Sequence, residues 1–200
     1  MSSLIDMLTQ QLGGGTTRQI SSQIGADEQM TSKAMAAALP LLLGALSRNA
    51  AQGDGADSLH RALANDHDGS ILDDLGGFLG QAQAGPGDGI LNHALGPKRQ
   101  MVERQLGAST GLDASSLAKL LPILAPIVMG ALGKAQRSSN LDAQGLAGLL
   151  GGETQTMQRE HPNTMGFLGQ ILDADNDGDV DVSDIAGQGL GFLKSFMSGR

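Results

Sequence analysis

Pro40-Leu41-Leu42-Leu43-Gly44-Ala45-Leu46 recurs as Pro126-Ile127-Val128-Met129-Gly130-Ala131-Leu132, and reading these two segments decides the fold. The repeat extends outward from them. Arg18 to Ala50 aligns with Arg104 to Gln136 at a constant offset of 86 residues, without gaps. The identities are Arg18/Arg104, Gln19/Gln105, Gly25/Gly111, Asp27/Asp113, Lys33/Lys119, Pro40/Pro126, Gly44/Gly130, Ala45/Ala131 and Leu46/Leu132. Self-similarity at a fixed period points to one supersecondary unit used twice.

Each copy reads as helix, turn, helix. In the first, Thr16 or Thr17 is placed to cap a helix that stops near Ile24-Gly25. Asp27 or Thr31 then opens a second helix running to about Ala51, with Pro40 expected to kink it or start a new one. The second copy repeats this with Asp113 as cap and with Pro122 and Pro126 interrupting. A shorter helix is expected after each copy, Ser58 to Ala64 and Asp142 to Leu150. The copies therefore cover about 18–64 and 104–150. A Gly-rich connector, 66–97, carries one expected helix, Ser70 to Gln83, and a loop at Gly85-Pro86-Gly87-Asp88-Gly89. The Pro-containing helices are apolar nearly all round. That suits a buried pair related by pseudo-twofold symmetry; insertion into a membrane or a partner's groove is the other reading.

The duplicated Leu-Pro…Gly-Ala-Leu helices, Gly89-Ile90-Leu91-Asn92-His93-Ala94-Leu95-Gly96 and Asp68-Gly69-Ser70-Ile71-Leu72-Asp73-Asp74-Leu75-Gly76-Gly77 resemble an uncharacterised bacterial family, akin to YidB-like proteins. The resemblance covers roughly residues 1–150. It implies a small all-helical fold and no known activity, so no catalytic residue is carried over.

Composition agrees with helices. The chain has 30 Gly, 4 Phe and no Trp or Tyr, and its apolar residues are mostly Leu, Ala, Ile and Met, which disfavours sheets. A net charge of −8 disfavours nucleic acid as a partner. Without cysteine there is neither a disulfide framework nor thiol chemistry. Met1 to Leu12 shows no basic region ahead of an apolar stretch, so no secretory signal is read. The longest apolar run, Leu120 to Leu132, is too short to span a bilayer. The default expectation is a cytoplasmic protein, with leaderless export left open.

Beyond the repeat, Asp173 to Asp184 reads D-A-D-N-D-G-D-V-D-V-S-D. Asp173, Asp175, Asp177, Asp181 and Asp184 occupy positions 1, 3, 5, 9 and 12 of an EF-hand loop, Gly178 the sharp turn at position 6, and Val180 the apolar anchor at position 8. Asp179, at position 7, would give its backbone carbonyl. Calcium is a hard cation that takes oxygen ligands, and short Asp side chains at alternate positions aim them inward. Asp184 stands where Glu is usual, which weakens binding or draws the exiting helix closer. The loop resembles that of bacterial dockerins and related single-loop proteins, over about a dozen residues. Crowded aspartates repel one another unless a cation neutralises them. Thr164 can cap an entering helix, Met165 to Leu172. Ile185, Leu190, Leu193, Phe196 and Met197 form a helix-like apolar series after the loop, weakened by Gly187, Gly189 and Gly191. The segment 163–200 is thus expected to be an EF-hand-like helix-loop-helix.

Other motifs are weaker. Asp66 and Asp68 ahead of Gly69 fill only half of a second loop, whose positions 1 and 12 would be Ala64 and Leu75, so a helix-capping turn is the better reading. Ser116-Leu117-Ala118-Lys119 matches S-x-x-K without its companion motifs. Gly13-Gly14-Gly15-Thr16-Thr17 lacks the lysine of a phosphate loop. His60, His67, His93 and His161 show no metal-ligand spacing.

The expectation from sequence is an all-α, non-enzymatic protein. A duplicated helical body, 1–150, is followed by a calcium-binding segment whose ion stabilises or switches it. The alternative is a self-associating interaction or assembly protein, joined to copies of itself or to a protein partner through its Ala/Leu/Gly helices, with calcium secondary.

Overall fold

An aspartate starts each of the two long helices. Asp27 Oδ1 accepts hydrogen bonds from the backbone N–H groups of Gln29 (2.8 Å) and Met30 (3.1 Å), and Asp113 Oδ1 accepts from that of Ser116 (3.0 Å). These carboxylates satisfy N–H groups that a helix start leaves without partners. Two residues earlier, Gly25 and Gly111 end the preceding helices at φ +74° and +80°, a region that residues with a Cβ seldom enter. In the computed structural model, which describes residues 3–81 and 86–160, these signals separate α2 (Gly15–Ile24) from α3 (Glu28–Ala51). They likewise separate α7 (Arg99–Thr110) from α8 (Ala114–Ser138).

The prolines do not break the long helices. α3 continues through Pro40, and α8 through both Pro122 and Pro126, contrary to the expected kink or interruption. Each interior proline costs about 3 kcal/mol through a lost hydrogen bond and a crowded carbonyl four residues back. Burying one Leu or Ile side chain returns roughly 1.5–3 kcal/mol, and these helices bury many on both sides of each proline. Packing outweighs local propensity.

The remaining helices are α1 (Leu4–Gln11), α4 (Gly55–Asp66), α5 (Leu75–Gln81), α6 (Gly87–Leu95) and α9 (Ala143–Glu160), with 3-10 turns at Ser70–Leu72 and Gly96–Lys98. Among the described residues every regular element is helical. α1 opens with a capping box in which Ser3 and Asp6 exchange hydrogen bonds of 3.1 Å. Several boundaries depart from the sequence expectation. Gly14, at φ +59°, holds the position before α2, while Thr17 Oγ1 donates back to the Leu12 carbonyl (2.5 Å). The single helix expected over Ser70–Gln83 divides at Asp73-Asp74, because Asp74 Oδ1 accepts from the Gly77 N–H (2.8 Å) and starts α5 afresh. Where a loop was expected over 85–89, α6 begins at Gly87, and α9 runs on past Leu150.

α2 packs on both α3 and α8, and α7 packs on both as well. α4 and α6 lie against the same two long helices. α8 is the centre. Its most apolar stretch is 83 % buried, against 61 % for that of α3. Leu41, Leu42, Leu43, Ala45 and Leu46 are buried, as is all of Ile127–Leu132. By length and composition alone, α3 and α8 would each reach across a bilayer, which corrects the expectation drawn from the shorter run Leu120–Leu132. Their burial is that of core helices.

Candidate functional site

The predicted calcium ligands, Asp173, Asp175, Asp177, Asp179, Asp181 and Asp184, lie outside the described residues, as do both predicted flanking helices. Among the described residues no group of three or more His, Asp or Glu side chains is arranged to hold a metal ion. The half-loop at Asp66–Ile71 is a capping turn. Asp68 Oδ1 accepts from the Ser70 N–H (2.9 Å) and Ser70 Oγ (2.6 Å), and Oδ2 faces Arg137 Nη1 at 3.5 Å. The Ser70 hydrogen bonds, with Arg137 in support, hold this carboxyl below the usual range. Ser116 is buried, and its hydroxyl donates to Asp113 Oδ2 (2.6 Å), so the S-x-x-K serine is part of a helix cap while Lys119 is exposed.

The described residues form a concavity of a different kind, a cleft of about 600 Å³ between the C-terminal half of α3 and α4, α6 and α8. Leu46, Leu59, Ala62, Ile90, Ala94 and Met129 give it apolar walls. That volume falls in the range of small-molecule sites. Asp54, Ser58, His67 and His93 are among its polar lining residues. Among the described residues neither lysine nor arginine lines it.

Glycines fix the walls. Gly55 is the first residue of α4, and a Cβ there would overlap the Asn49 carbonyl of α3. Gly87 is the first of α6, and a Cβ there would overlap the Pro122 carbonyl of α8. Pro126 has no N–H to give to that carbonyl, which leaves a bare spot on α8 where the α6 backbone comes to rest. Asn49 closes a third edge, its Nδ2 donating to the carbonyls of His93 (3.0 Å) and Ala94 (3.3 Å) near the end of α6. The His67 backbone presses on Gly133, and Gly69, at φ +92°, completes that turn against Lys134 and Gly130. Partial burial pushes the His67 imidazole below its ordinary pKa, with the Asp66 charge opposing in part, so it is neutral at pH 7.

Sequence reasoning missed this cleft. Gly87 read as a loop glycine and Gly55 drew no reading, because nothing in periodicity reports that a backbone needs room for another backbone. The available signal was Pro126, whose place in a helix implies an unbonded carbonyl four residues earlier.

No curated protein and no solved structure matches this chain. One family matches, described as "Bacterial protein of unknown function (DUF937)", over residues 6–135. That span takes in α2, α3, the cleft helices α4 and α6, α7 and nearly all of α8, and the chain belongs to this bacterial family.

Proposed function

We propose that this is a non-enzymatic calcium-binding protein, a duplicated helical body carrying a C-terminal EF-hand-like segment that the ion orders or switches. The spacing of Asp173, Asp175, Asp177, Asp181 and Asp184 around Gly178 carries the reading. A solvated turn needs no carboxylates at alternate positions, whereas an oxygen-ligand shell does. Several observations support the duplication. The stops at Gly25 and Gly111 share one backbone conformation, and Asp27 and Asp113 cap equivalent helices. Exchanging the copies also turns the packing of α2 on α3 and α8 into that of α7 on α8 and α3.

Calorimetry on the full chain tests the calcium site. Calcium should bind one site with magnesium well behind, and Asp173→Ala combined with Asp177→Ala should abolish it. Undiminished binding by the double variant would return the loop to an ordinary turn. Hydrogen exchange then reads the consequence: chelation should raise exchange over residues 165–198 and leave 1–150 nearly unchanged.

Self-association is the second reading. Met30, 43 % exposed on α3, is the large apolar side chain that the body leaves in solvent among the described residues. A solution mass that stays monomeric with and without calcium would remove this reading.

A further inference from the structure

We infer that the cleft bounded by α3, α4, α6 and α8 is a binding site for a small organic cation with an apolar body, such as an alkyl amine. Size and walls set the apolar part. About 600 Å³ of concavity walled by Leu46, Leu59, Ile90 and Met129 suits a flexible aliphatic chain. The walls are also built in advance. Gly55 and Gly87 rest directly on carbonyls of α3 and α8, and Asn49 ties α3 to the end of α6, so the cavity does not have to be opened by its ligand.

Charge sets the head group. Among the described residues that line the cleft, Asp54 is the single carboxylate; it is exposed, and its side chain makes no capping hydrogen bond to the helix that follows it. Among the described residues no lysine or arginine lines the cleft to neutralise it. His67 is neutral for the reason given above, and His93 and Ser58 add hydrogen-bonding groups to the lining. Among the described lining residues an anion meets a carboxylate and no cationic side chain. An ammonium meets one negative charge and acceptor-capable neighbours.

This inference is independent of the calcium loop, so its test is run with chelator present. The full chain is titrated at pH 7.5 and about 0.15 M salt, where long-range attraction by the overall negative charge is screened, with octylamine, 1-octanol and octanoate. The three share a chain and differ in charge. Binding is followed by calorimetry and by backbone amide shifts in α4 and α6. Octylamine should saturate one site per chain, octanol should bind more weakly, and octanoate weakest. Ala94→Phe, which fills the cleft from a partly exposed position, should cut octylamine affinity by about tenfold or more, the loss of more than 1.4 kcal/mol. Asp54→Asn should weaken octylamine about threefold, the scale of an exposed ion pair, and leave octanol unchanged. Three outcomes overturn the inference: octanoate binding as well as octylamine, no probe binding to the folded chain, or octylamine binding that survives in a folded Ala94→Phe variant.

Discussion

α3 and α8 carry the same pattern, yet one is covered where the other is open. Gly130 and Gly44 are aligned residues. On α8 a Cβ at Gly130 would overlap Ile71 Cγ2, and one turn on, a Cβ at Gly133 would overlap the His67 carbonyl. On α3 a Cβ at Gly44 would meet no described neighbour within 4 Å, and the residue aligned with Gly133 is Ser47, partly exposed. The difference comes from the chain between the copies. The turn His67–Leu72 lies on α8 and is held there by Arg137 to Asp68 (3.5 Å) and to the Ala64 carbonyl (3.4 Å), and by Lys134 to Asp73 (3.3 Å). Among the described residues nothing equivalent lies on Gly44. The helix starts differ in the same sense: Ser116 is buried and bonded to its capping aspartate, while its aligned partner Met30 is 43 % exposed. Two helices with matching sequence segments thus differ in cover, and the chain between them lies on the more buried one.

The sharpest way to break this comparison is Gly133→Ala. The new methyl meets backbone, which cannot rotate away, so the turn must lift from α8. We expect a loss of about 2–3 kcal/mol in chemical denaturation, overpacking exceeding the helix propensity gained. A stable Gly133→Ala protein would mean that the turn is not seated on α8 as described. Gly130→Ala should cost somewhat less, because Ile71 is partly exposed and its side chain can shift. Ile71→Ala alone should cost about 1–2 kcal/mol. The double variant should be less destabilised than the sum, by at least about 0.5 kcal/mol, since each change makes room for the other. Strict additivity would separate the two residues.

How much of this was legible beforehand follows from what each feature depends on. The helix caps, the glycine stops and the buried apolar stretches depend on neighbours in sequence, and Asp27, Asp113, Gly25 and Gly111 stand where the pattern put them. The continuity of α3 and α8 depended on packing from both sides of the prolines, which no local rule reports. α6 begins with Gly-Asp-Gly, a loop signature, and becomes a helix because Gly87 fits over the carbonyl that Pro126 leaves bare. The cleft was illegible for the same reason, as its walls are contacts between segments far apart in the chain. The predicted calcium ligands stay a reading of spacing alone.

His67 offers a pH test of the covered side. Its folded pKa is lowered by burial, while the unfolded chain titrates near the ordinary value of about 6.5. The unfolded state therefore binds the proton more readily. Stability should be full above that value and decline as pH falls through about 6.5 toward the folded pKa. His67→Gln should flatten that decline in urea denaturation at pH 7.5 and 5.5. An unchanged decline would place its origin in other groups, leaving the turn on α8 insensitive to protonation.

The smallest effect is expected at Gly44, and its sign matters more than its size. Glycine inside a helix costs about 0.5–1 kcal/mol relative to alanine, because the unfolded chain gives up more freedom. At Gly130 and Gly133 that cost secures close approach of the His67–Leu72 turn. At Gly44 it secures nothing within the described body, since a Cβ would meet open space. Gly44→Ala should therefore stabilise the isolated chain by about 0.5–1 kcal/mol, opposite in sign to the change at its aligned partner. If Gly44→Ala instead destabilises the chain, or stabilises it but raises the monomer fraction of a self-associating protein, then something outside the described residues rests on α3 as the turn rests on α8. Measuring stability and solution mass on the one variant distinguishes an unused copy of the pattern from one whose occupant comes from elsewhere.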